Sequence, residues 1–156
     1  MIADEVKKYL DQTIPNLIKS YESKGLKASG EYARELKSVV TVSGTKINAK
    51  ITGPIQSIFM EGGRGPNRDT SHQAVKNLGW HLQEWVKDKG IDVNPYAAAH
   101  KIVNKGIQVP NPHNPGGVIS EVINDEWFDE LNEILRFDII KDIRSDVLKQ
   151  FKSFNN

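Results

Sequence analysis

The 156-residue chain contains no cysteine. That removes disulfides, thiolate metal sites and cysteine nucleophiles, and it fits a protein made in a reducing cytoplasm. No apolar run approaches the roughly 18 residues that a membrane span needs, so no membrane partner is expected. Met1-Ile2-Ala3-Asp4-Glu5 carries acids where a signal peptide carries lysines, and the protein is expected to stay where it is made. An excess of one charge is also missing. The net charge is +1, too small for the strongly basic surface of a dedicated nucleic-acid binder. The charge is unevenly placed, however. Residues 1–78 hold 12 Lys/Arg against 8 Asp/Glu, and residues 79–156 hold 9 against 12. Such a bipolar chain suits head-to-tail contacts between like subunits.

The usual catalytic signatures are absent too. The glycines of Gly62-Gly63-Arg64-Gly65 lack the lysine of a phosphate-binding loop and the spacing of a dinucleotide fingerprint. There is no Gly-x-Ser-x-Gly elbow. No two of His72, His81, His100 and His113 stand four apart as helical metal ligands do. His81 and Glu84 stand three apart, more simply a solvated pair than a ligand pair. Asp125, Asp129 and Glu133 repeat every four residues on one helix face without the central glycine of a calcium loop. A solvated face, or one opposite a basic surface of another subunit, is the stronger reading. No cofactor, metal or catalytic set is expected.

What is present reads as one α+β domain over residues 1–156, a small antiparallel hairpin packed against several helices with a long C-terminal helix. Val6, Tyr9, Leu10, Ile14, Leu17, Ile18 and Tyr21 recur at helical spacing and predict a helix over 3–24, kinked or split by Pro15 near Thr13. Ser29 is placed to cap a short helix over 31–37. Residues 38–42 are β-branched and 46–52 alternate, which predicts a hairpin. A third apolar piece, 55–60, is either a strand or the start of a short helix, and completes a hairpin core over 38–60. Thr70 or Ser71 can cap a helix over 71–89, and Asn94-Pro95 opens another over 95–105. Residues 107–117, with three prolines and two glycines, predict an extended loop or arm. Residues 119–152 return to helical spacing, with a break near Phe137-Asp138 and a strand over 118–123 as the alternative for its start.

The loop at 59–67 is the focus of the chain. Its three glycines and Pro66 set an unusual backbone, and Arg64 and Arg68 project from a segment with little apolar content. It is either a plain connection with solvated arginines or a surface that something uses. Trp80 falls off the apolar stripe of its helix, which points to contact with another element or another chain, or equally to a place under a loop of its own chain. Pro110, Pro112 and His113 lie in the proline-rich loop. These residues, with Glu61, are the candidates for a subunit interface or a DNA channel.

The order of motifs resembles tail-completion and head–tail joining (neck) proteins of long-tailed double-stranded DNA bacteriophages. Residues 25–36 resemble their "ASG-x-L-x-x-S" opening. Ile58-Phe59-Met60-Glu61-Gly62-Gly63-Arg64-Gly65-Pro66 is similar to their aromatic-x-Glu-aromatic-Gly-Arg-x-Pro strand and loop, with Gly62 where the family has an aromatic. Residues 82–90 are similar to a "W-x-x-x-K-G" helix end and 97–106 to an "AYAIAR-x-I-x-x-xG" helix. The resemblance covers most of the chain. It implies a non-catalytic virion protein, assembled in the bacterial host cytoplasm as a homo-oligomeric ring at the neck. Its partners would be other neck or tail proteins, with loose contact to packaged DNA. Two further readings are a nucleic-acid module using Arg64, Arg68 and Lys76, and a metal-dependent hydrolase using Glu61, Asp69 and His72.

Overall fold

The apolar spacing of the first segment produces α1 (Ile2–Ser23), which buries Val6, Tyr9, Leu10, Leu17 and Tyr21 on one side. The computed structural model describes residues 1–154. Pro15 does not split α1, which runs through it as one helix. Pro15 lies exposed, so the missing N–H falls outside the face that packing holds in place. Buried Thr13 donates from Oγ1 to the Tyr9 carbonyl at 2.9 Å.

α2 (Glu31–Glu35) is shorter than the spacing predicts, because Leu36 is already extended and leads into the sheet. Gly30 holds its N-cap position without a side-chain bond, while the Ser29 hydroxyl accepts from the Glu31 N–H at 3.3 Å. β1 (Lys37–Ser43) and β2 (Lys46–Thr52) form an antiparallel hairpin in register Val40↔Ala49 and Val42↔Ile47. The core predicted over 38–60 stops here. Residues 56–60 belong to α3 (Gln56–Gly62), with Ile55 at its N-cap position, and form no third strand. The Pro54 carbonyl accepts from the Ser57 N–H at 3.0 Å and from its hydroxyl at 2.7 Å, which turns the chain into a helix. An apolar run this short carries no period that separates the two outcomes.

Ser71 caps α4 (His72–Lys89) by accepting from the Ala74 N–H at 3.2 Å. Asn94 caps α5 (Pro95–Lys105) through the Tyr96 and Ala97 N–H groups. The two helices pack through buried Val75, Ala99 and Val103, flanked by Leu78 and Leu82. Gly79 lets them approach closely, since the Tyr96 ring fills the space a Cβ would take.

The C-terminal segment is turn through residue 124. α6 (Asp125–Phe154) then begins, with Asn124 Oδ1 accepting from the Trp127 N–H at 3.0 Å. The helix does not break at Phe137-Asp138. Its first half rests on α1. Trp127 Nε1 donates to Thr13 Oγ1 at 2.9 Å, and the Tyr9 and Trp127 rings stand 5.2 Å apart. The Tyr9 hydroxyl donates to the Trp127 carbonyl and to Glu130 Oε2, both at 3.0 Å. Burial, and then the Glu130 carboxylate, push the Tyr9 phenol up to about 12, so it remains a donor across the neutral range. Asp11 ties α1 to the hairpin by accepting from the Ser38 hydroxyl and from Lys7 Nζ. A central cluster of Tyr21, Tyr32 and Val118, with Leu26, Leu36 and Met60 against it, joins α1, α2 and α3 to the turn before α6.

Candidate functional site

The glycine loop becomes a crossing of two chain segments. Arg64 and Ile107 exchange both backbone hydrogen bonds, each at 2.8 Å. The two glycines beside this bridge are Gly63 (φ +74°) and Gly106 (φ +75°). Both lie in the left-handed region that favours glycine. A Cβ on Gly63 would run into the Ile107 carbonyl oxygen, and one on Gly106 into that of Arg64, well inside van der Waals contact. The crossing therefore requires glycine at both positions, for conformation and for space. Three residues beyond Arg64 and four before Ile107, the Asn67 N–H donates to the Val103 carbonyl at 2.9 Å.

Glu61 works on a different side of the same loop. Its Oε2 accepts from the Ile119 N–H at 2.9 Å and its Oε1 from the Ser120 N–H at 3.2 Å. Partial burial raises its pKa, but the Ser120 and Ile119 donors and nearby Lys24 outweigh that, and the carboxyl sits below its ordinary value. Lys24 also pairs with Glu121 at 2.6 Å. Glu61 is thus an anchor that holds the turn before α6 against the end of α3.

The Arg64 guanidinium lies 5.7 Å from the Phe59 ring centroid and donates through Nη2 to Asn67 Oδ1. The sequence places Arg64 as a free projecting cation, but the structure folds it back onto its own loop. A shallow cleft of about 500 Å³ runs beside the bridge, lined by residues 62–65 and 107–110. Its side chains are those of Arg64, Gln108, Ile107, Val109 and Pro110, beside the backbone of the glycines.

Of the candidates named from sequence, Glu61, Arg64 and Pro110 gather at the crossing, Arg64 and Pro110 in one cleft. Arg68 is exposed, with no ion pair among the described residues. Pro112 and His113 are exposed on a tight turn in which Asn111 and Asn114 exchange backbone bonds. The predicted extended arm is therefore corrected. Asn114 donates from Nδ2 to the Met60 carbonyl at 3.0 Å and accepts at Oδ1 from the Gly116 N–H at 2.9 Å, which draws the loop back onto α3. Trp80 is 65% exposed on α4 and touches the ring of its neighbour His81. It is not packed under a loop of its own chain.

Glu61, Asp69 and His72 do not form a metal set. Glu61 is committed to residues 119 and 120, and Asp69 accepts from the Ser71 N–H at 2.9 Å. Among the described residues no three His, Cys, Asp or Glu side chains gather to hold a metal ion. No helix among them is long and apolar enough to cross a membrane.

The residues that sequence reasoning passed over are in α6. Phe137 is 71%, Ile140 64% and Ile143 59% exposed, with Ile139, Val147 and Leu148 also exposed beside them. Contiguous apolar exposure on this scale marks an interaction surface. The signal lay in the angular positions of these residues, which helical spacing alone does not separate. No family model, curated protein or solved structure matches the chain.

Proposed function

We propose that the chain is a structural subunit of a bacteriophage neck, closing into a homo-oligomeric ring at the head–tail junction and contacting other neck or tail proteins of the virion. The observation that carries this reading is the far half of α6, whose apolar side chains are left exposed by the described residues of their own chain. A ring subunit needs two unlike complementary patches, because its contacts repeat head to tail. The opposite charges of the chain's two halves and the motif order around residues 59–67 support the same reading. Loose contact with packaged DNA falls to exposed Arg68, since Arg64 is engaged by Phe59 and Asn67.

Light scattering and negative-stain imaging of the purified protein test this. A closed ring of defined mass is expected, together with the protein's presence in purified virions. A monomer at high concentration, with no copy in virions, overturns it.

A further inference from the structure

Residues on a helix advance by about 100° each. By that measure Trp127, Leu131, Ile134 and Leu135 share one side of α6, and all four are partly buried. Phe137, Ile140, Ile143, Val147 and Leu148 centre on a direction roughly 160° away from it. The apolar stripe therefore changes sides near Phe137 while the helix continues unbroken. Asp125, Asp129 and Glu133 lie on the same outward side as the second stripe. The outer face of α6 thus reads acidic over its first half and apolar over its second, with Arg136 and Arg144 on the same side at and beyond the change.

The hairpin has the matching pattern. Val42 and Ile47 face each other across the strands at its tip, and both are exposed. Residues 36–60 contain Lys37, Lys46 and Lys50 and no acid, whereas residues 106–135 contain six acids and no Lys or Arg. Among the described residues, none of these three lysines and none of Asp125, Glu126 and Asp129 makes an ion pair, while Glu133 pairs with exposed Arg136 at 3.1 Å and would exchange that partner for a lysine of the next copy. β2 has no strand on its outer side, so Lys46 and Lys50 can reach around that edge on their long stems.

We propose that the outer face of α6 in one copy is covered by the β1–β2 hairpin of the next copy. Val42 and Ile47 seat against Phe137 and Ile140, and Lys46 and Lys50 face Asp129 and Glu133. The two surfaces are different patches of one chain, so the contact is head to tail and propagates around a ring. This inference rests on the ring reading and names the contact that closes it.

The test is charge exchange in the full chain, read by sedimentation with circular dichroism confirming the fold. K46E/K50E and D129K/E133K are each expected to weaken self-association about tenfold or more, and the variant carrying all four changes to recover it. An equimolar mixture of the two double variants is also expected to recover association, because alternating copies restore opposite charges at both junctions, and the four-change chain checks this within one sequence. Assembly of both double variants at wild-type strength overturns the contact while leaving the ring reading intact. So does F137D/I140D that assembles normally but fails to enter particles, which would assign the face to another virion protein. A wild-type protein that stays monomeric overturns both readings.

Discussion

The two halves of α6 differ in what determines them. Around Trp127 the helix is specified by its own chain, through an indole bond to Thr13, a ring contact with Tyr9 and the Asn124 cap. Beyond Leu135 the same helix continues with its apolar side chains in solvent. A helix of 30 residues does not hold exposed isoleucines at regular spacing for its own stability, because helix stability comes mainly from packing an apolar face. The first half is held by the fold, and the second, on the proposed reading, by a neighbouring copy. The glycine crossing stands with the first half, since both its chain segments constrain each other.

The sharpest way to break this contrast is at the crossing. Gly106→Ala would set a Cβ against the Arg64 carbonyl oxygen at φ +75°. A loss of about 3 kcal/mol or more is expected, read as a lowered denaturant midpoint. A loss below 1 kcal/mol would mean the two segments part easily. Trp127→Ala comes next. It removes the indole from Tyr9 and leaves Thr13 without its donor, at a cost of about 3 kcal/mol, visible in thermal unfolding.

Glu61→Gln should cost about 1–2 kcal/mol, because two backbone donors lose a charged acceptor. The pH dependence has a defined sign. The folded carboxyl titrates below its ordinary value, so its contribution is complete above that value and disappears as pH falls through the folded one. Wild type should lose stability on acidification, and Glu61→Gln should lose less over the same window. Equal slopes in denaturation at stepped pH would remove Glu61 as the anchor. The smallest effect on folding is expected from Phe137→Asp, within ~0.5 kcal/mol of wild type, although its self-association should fall sharply. A large loss of monomer stability would erase the distinction between the halves of α6.

Capping and periodicity made much of this fold legible in the sequence. Asn94-Pro95, Ser71 and the stripe of α1 lead directly to the observed helices, because each signal is local and strong. The third apolar piece at 55–60 resolved as helix because Pro54 supplies an acceptor to Ser57, and a six-residue run has no period to read. Pro15 suggested a break that packing overrode. The proline-rich loop read as an arm because composition shows what cannot be regular, not where it folds. Its return onto α3 depends on Asn114 meeting Met60, more than fifty residues away. Glu61 and Arg64 stood out as residues of the focal loop, but the partners of Glu61 at 119 and 120 lie where no spacing rule connects them to it.

The exchange of bonds between Arg64 and Ile107 has one more result. The α4–α5 pair leaves the rest of the chain and rejoins it at this clasp, with a bond from Lys89 Nζ to the Gly25 carbonyl as a second tie. Tension applied to the two ends of the polypeptide would load that clasp before reaching either helix. Excising residues 66–105 and bridging the gap with a short flexible tether should then leave α1, the hairpin and α6 standing, as happens where an inserted module has adjacent ends.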